Sequence, residues 1–158
     1  MSDKVNIFWF RRDLRLNDNI GLYEALNNKL EVIPLFIFDE NITFELDKDD
    51  PRINFIYKQL ESINSTLSTK YNSKLLVLKG KPLEVIQKLI IDYNIEGVFS
   101  NHDYEPYAIT RDKKITEFLS SKNIQFSSFK DQVIFEKDEI TKDDKTPYVV
   151  YTPYMRKW

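Results

Sequence analysis

The sequence predicts a doubly wound α/β fold: a Rossmann-like parallel sheet of five strands in the order 3-2-1-4-5, with helices on both faces. Three observations carry the prediction. Apolar runs such as "VNIFWF" and "VIPLFIF" read as strands buried on both sides. Between such runs lie segments whose apolar residues recur every three or four positions, the period of an amphipathic helix. The two kinds alternate along the chain, and right-handed crossovers leave few other ways to wind them.

Val5 to Phe10 is the first strand, and Asp18 or Asn19 caps a short helix carrying Leu22, Tyr23 and Leu26. Val32 to Phe38 is the second strand, with Pro34 counting against full ladder bonding of its first half. "DKDDP" then supplies a cap at Asp50 and a proline at the first helical position. The helix that follows sets Ile53, Ile56, Leu60, Ile63 and Leu67 in one apolar stripe. Leu75 to Leu78 is the third strand, and "KGKP" leads into a helix with Leu83, Ile86, Leu89, Ile90 and Tyr93. Gly97 to Ser100 is a short fourth strand, Pro106 to Lys122 a helix, and Gln125 to Phe129 the fifth strand. From Asp131 the alternation stops, and "TPYVVYTPYMRKW" reads as a packed connecting arm. The chain thus divides into an α/β domain, residues 1–130, and an aromatic, proline-punctuated arm, residues 131–158.

Composition bounds the function. At 158 residues, 42% apolar and 30% charged, the chain is one globular domain. A net charge of −2 gives no field to draw it onto nucleic acid or anionic lipid. Cysteine is absent and His102 is the only histidine, so no thiolate or histidine-rich metal site is expected, and a reducing cytoplasm fits. No apolar stretch approaches the roughly 20 residues of a membrane span. With only Gly21, Gly80 and Gly97, neither a G-x-G-x-x-G fingerprint nor a P-loop can be written.

Doubly wound sheets bind ligands where the strand order reverses, outside the carboxyl ends of the strands. Here that crevice lies between strands one and four, flanked by the two oddest stretches of the chain. "FWFRRDLRLNDN" packs Arg11, Arg12, Asp13, Arg15 and Asp18 directly behind an apolar strand; "NHDYEPYAITRD" sets Asp103, Tyr104 and Glu105 ahead of Arg111 and Asp112. Asp39 ends strand two and Arg52 begins the long helix beside it. Carboxylates, guanidiniums and aromatic faces suit a flat heteroaromatic ring with polar edges. The competing explanation is a solvated turn, with Asp13 in a structural ion pair with Arg11 or Arg15, Trp9 and Phe10 in the core, and His102 in a satisfied polar role. Asp103 and Glu105 have no nucleophile or metal partner in view, so hydrolysis finds little support.

Six collinear stretches make the sequence recognisable: "FWFRRDLRLNDN", "VIPLFIFDE", "RINFIYKQLESINSTL", "LKGKP", "NHDYEPYAITRD" and "YTPYMRKW". Together they resemble the DNA photolyase and cryptochrome family over essentially the whole chain. The resemblance implies the N-terminal antenna-chromophore domain of a class I deoxyribodipyrimidine photolyase, a flavoprotein lyase that uses blue or near-UV light to repair cyclobutane pyrimidine dimers in DNA. It places FAD, the catalytic residues and the contacts to UV-damaged DNA in a C-terminal helical domain, expected to be absent from this chain, so no catalytic residue and no metal ligand is named here. A monomer that packs against that helical domain, with no membrane partner, is expected. The same domain also serves cryptochrome blue-light photoreceptors, and a stand-alone nucleotide-binding α/β protein is a third reading.

The resemblance further implies the antenna. Family members that hold folate carry an Asn-Glu pair where this chain has Tyr107 and Ala108. Members that hold a deazaflavin show Asp-x-Glu-Pro-Tyr, matched by Asp103, Glu105, Pro106 and Tyr107. An 8-hydroxy-deazaflavin or FMN is therefore expected in preference to folate, and an empty pocket is compatible with the family. The implied chromophore residues are Ile37, Phe38, Asp39, Arg52, Asp103, Glu105 and Arg111. Arg11, Arg12, Asp13 and Arg15 are expected to form a structural charge cluster that closes the crevice, with Arg11 reaching the chromophore.

Overall fold

Strand β1 (Val5–Phe10) is the hinge of the architecture, because Ile7, Phe8 and Phe10 are fully buried and need a neighbour on every side. In the computed structural model, which describes residues 3–27, 29–44, 46–47 and 49–158, β1 lies between β2 (Glu31–Asp39) and β4 (Ile95–Asn101). β3 (Leu76–Gly80) and β5 (Gln125–Phe129) complete an all-parallel sheet of order β3-β2-β1-β4-β5, the expected topology. β2 pairs with β1 from Glu31 but with β3 only from Leu35, so Pro34 lies where the strand is bonded on one side. A missing N–H is tolerated there.

Alternation along the strands builds two cores. Ile7, Trp9, Leu35 and Ile37 face α4 (Pro82–Asp92) and α5 (Pro106–Ser121), meeting Ile86, Leu89, Ile115 and Leu119. Phe8, Phe10 and Phe36 face α1 (Ile20–Asn27) and α3 (Pro51–Tyr71), meeting Ala25, Leu60, Ile63 and Leu67. Asn19 caps α1 through its Oδ1, which accepts from Leu22 N at 3.1 Å, and Asp50 caps α3 by accepting from Arg52 N at 2.8 Å.

Several boundaries differ from expectation. β3 begins and ends later than residues 75–78, and β4 extends beyond Gly97–Ser100 to Ile95–Asn101. Neighbouring strands supply ladder partners that no local pattern displays. A short helix α2 (Glu40–Thr43), capped by Asp39, follows β2 where the sequence shows no helical periodicity. The arm is also more regular than expected: it contains a 3-10 turn at Lys137–Glu139 and a helix, α6 (Tyr151–Lys157). Pro153 does not forbid α6, because it falls in the first turn, where the amide has no intrahelical acceptor. No described helix is long and apolar enough to cross a membrane.

Candidate functional site

A cavity of about 410 Å³ opens at the carboxyl ends of β1, β2 and β4, where the strand order reverses. Its side nearest α3 is apolar, made by Phe10, Phe36, Phe38, Ile53 and Ile56. The opposite side carries Trp9, Ile37, Tyr107 and Ala108, and α2 contributes Ile42 and Thr43. Its polar lining is Arg11, Arg12, Asp39, Arg52, Asp103, Glu105 and Arg111.

All seven implied chromophore residues therefore line one cavity, although they come from β2, the helix start at Arg52 and the loop and helix after β4. Their free bonding capacity differs. Arg52 donates to its own helix cap, with Nη2 2.6 Å from Asp50 Oδ2, and its side chain is 69% exposed. Asp39 accepts from Asn41 N at 3.0 Å and from the Tyr107 hydroxyl at 2.6 Å. Burial, then the hydrogen bond to Asp39, pushes the Tyr107 phenol up to about 12. Asp103 is close to buried, with Arg12 Nε 3.6 Å from its carboxylate, while Arg12 Nη2 lies 3.3 Å from Glu105. Arg111 Nη2 is buried with no hydrogen-bond acceptor, although Asp112 Oδ1 lies 2.9 Å away as a counter-ion.

The arginine-rich loop after β1 divides its work. Arg11 donates to Asp112 Oδ2 at 2.6 Å, to Ser100 Oγ at 3.0 Å and to the Asn101 carbonyl, tying β1 to β4 and α5. Burial draws its pKa below the usual arginine value, partly offset by Asp112. Arg15 turns away from the cavity and binds Asp131 at 2.7 Å. The expected ion pair of Asp13 with Arg11 or Arg15 does not form. Asp13 is buried and accepts instead from the Arg11 backbone N at 2.8 Å, from Asn101 Nδ2 at 2.6 Å and from Asn19 Nδ2 at 3.3 Å. A neutral amide network thus satisfies this carboxylate, because the chain reversal points the neighbouring guanidiniums elsewhere.

His102 has a satisfied polar role: its Nδ1 pairs with Glu136 of the arm, and its carbonyl accepts from Gln132 at 3.1 Å. Sequence reasoning missed Trp9 as a cavity residue, having placed it in the core; it is both, at 2% exposure. Ile53 and Ile56 were legible only as helix stripe. Their signal was the stripe's length, since only its later members, Leu60, Ile63 and Leu67, are buried against the sheet.

Chemically, the arrangement offers aromatic and aliphatic walls for a flat ring and carboxylate and guanidinium groups for its edge. The DNA photolyase family model matches residues 6–158. The deoxyribodipyrimidine photo-lyase of Synechococcus sp. is 34% identical over 152 residues, covering 96% of this chain and 31% of that protein. A bacterial class III photolyase from Agrobacterium tumefaciens superposes with a TM-score of 0.85 at 26% identity, over 99% of this chain and 32% of that one. An archaeal photolyase from Sulfolobus tokodaii, solved with two FAD molecules and described as implying a novel light-harvesting cofactor, gives a TM-score of 0.75 at 31% identity, over 87% and 32%. The chain spans about a third of the length of each of these relatives.

Proposed function

The chain belongs to the DNA photolyase family, and we propose that it is the light-harvesting domain of a photolyase that repairs cyclobutane pyrimidine dimers in UV-damaged DNA under blue or near-UV light. The cavity at the strand-order reversal carries the proposal, since its volume of about 410 Å³ falls in the ligand-pocket range of roughly 300–1,000 Å³. Arg111 Nη2, buried and in contact with Asp112 only as a counter-ion outside hydrogen-bond alignment, has donor capacity left for a ring that brings an oxygen or nitrogen lone pair. Photolyase is preferred to a cryptochrome photoreceptor because the curated relative at 34% identity is named a photo-lyase.

In this proposal residues 1–130 hold the antenna and residues 131–158 lead towards a helical domain of the same protein, which binds FAD and the damaged DNA. The full protein acts as a cytoplasmic monomer. The antenna is an 8-hydroxy-deazaflavin or FMN; when bound, it absorbs light and passes the excitation on. Phe38 and Ile37 bound the ring from the two sides of the sheet edge. Asp103, nearly buried, accepts from a ring N–H, and Arg111 donates to a ring acceptor. Glu105 and Arg12 close the rim as an ion pair. Arg52, already held by Asp50, contributes charge rather than a directed hydrogen bond. Folate is disfavoured because Tyr107 and Ala108 stand where the folate-type Asn-Glu pair would be.

Titration of 8-hydroxy-deazaflavin, FMN and methenyl-tetrahydrofolate into the full-length protein tests the assignment. A flavin-type ring is expected to bind. Asp103→Ala should weaken it about 10- to 100-fold, the loss of one charge-assisted hydrogen bond of about 1.5–3 kcal/mol, and Arg52→Ala should weaken it less. Tight folate binding untouched by either substitution would overturn the assignment.

A further inference from the structure

Trp9 is a hazard in the wall of a light-harvesting site. Of the common aromatic side chains, indole most readily loses an electron without also losing a proton, and an excited flavin-type ring is a strong one-electron oxidant. If Trp9 gave up an electron to such a ring, leaving an indole radical cation, the excitation would be lost before it could be passed on. The structure surrounds this indole with positive charge. The guanidinium carbon of Arg11 lies 5.1 Å from the Trp9 ring centroid and that of Arg111 lies 4.8 Å from it.

Both guanidiniums are removed from water, with side chains 7% and 8% exposed, so their fields at the ring are weakly screened. One carboxylate, Asp112, pairs with both, at 2.6 Å from Arg11 and 2.9 Å from Arg111. Asp103 also attracts Arg11 but pairs with Arg12, so Asp112 is the one carboxylate shared by the two guanidiniums beside the indole. A cation over an aromatic face favours the electron-rich neutral ring. It disfavours the oxidised ring by the same electrostatics, because that ring would carry a positive charge against two others.

Resting on the assignment of this cavity to a light-absorbing ring, we propose that Arg11 and Arg111 shield Trp9 from oxidation by the excited antenna, and so keep its excitation available for energy transfer. The role is distinct from holding the ring in place. It also gives the arginine at the start of the β1 loop a photophysical purpose beside its hydrogen bonds to β4 and α5.

The test reads the fluorescence lifetime of 8-hydroxy-deazaflavin or FMN bound to the full-length protein at saturating concentration. Wild type and Trp9→Phe should have closely similar lifetimes. Arg111→Gln should shorten the lifetime severalfold, with an indole radical signal in transient absorption. Arg111→Lys, which keeps the charge, should retain the wild-type value, and the double variant Arg111→Gln/Trp9→Phe should recover it. An unshortened lifetime in Arg111→Gln, or one equally short in the double variant, overturns the shield while leaving the chromophore assignment intact. Failure of both rings to bind, read by fluorescence anisotropy, overturns that assignment and the shield with it.

Discussion

Asp13 shows how one residue can be conspicuous in a sequence for the wrong reason. It sits among arginines, yet its Oδ1 takes the Arg11 backbone N–H and its Oδ2 takes the side-chain amides of Asn101 and Asn19. All three partners are donors, so only a carboxylate satisfies them. Asn in either amide orientation would set donor against donor. Asp13→Asn is therefore expected to destabilise the domain by about 1–3 kcal/mol, the cost of an unpaired buried polar group, measured by urea unfolding. Unchanged stability would mean that the network is dispensable. Asn101 is the quieter member of this set: it donates to Asp13 and Asn19, and its Oδ1 accepts from Gly21 N at 2.9 Å.

At the scale of elements, that last bond explains how α1 lies on the sheet. Gly21 is the point of closest approach: a Cβ there would stand 2.6 Å from Asn101 Oδ1, 2.9 Å from Phe8 and 3.0 Å from the Ser100 carbonyl. The Ser100 carbonyl belongs to β4, bonded on both sides by β1 and β5, and cannot retreat. Gly21→Ala, which would favour an isolated helix, is expected here to destabilise the protein by about 1–3 kcal/mol through overpacking, seen as a lowered Tm. A raised Tm would show that α1 can shift outward freely. Helix α3 illustrates the opposite case. Leu60, Ile63 and Leu67 are buried against the sheet, while Ile53 and Ile56 run past it to become a wall of the cavity.

Across the whole molecule, the arm is fastened where the site is made. Arg15 binds Asp131, Gln132 donates to the His102 carbonyl, Lys130 binds Glu139 at 2.7 Å, and Glu136 pairs with His102 directly before Asp103. Burial, with the Glu136 carboxylate nearby, raises the Tyr104 phenol to about 12. The arm thus braces the loop that carries Asp103 and Glu105. Glu136→Ala is expected to speed hydrogen exchange in residues 133–140 about tenfold, equivalent to about 1.4 kcal/mol, with β1 amides unchanged. Acceleration that spreads into β1 would mean that the arm is an inseparable part of the core.

The sheet order, the helices on both faces and the boundaries of β1 and β5 were determined by the sequence alone, since they follow from apolar runs, helical periodicity and caps that act within a few residues. The six motifs likewise placed all seven chromophore candidates near one end of the sheet. What those side chains are bonded to was decided only by the tertiary structure. Arg11 reaching Asp112 across the sheet edge, Asp13 binding the amide of Asn101 and Trp9 lying beside the guanidinium of Arg111 all depend on contacts between residues roughly a hundred positions apart. Local propensity carries no record of such distances. The partner of a buried charge is settled by which donors and acceptors the packed strands bring within reach, because an unpaired group there costs more than any local preference can offset.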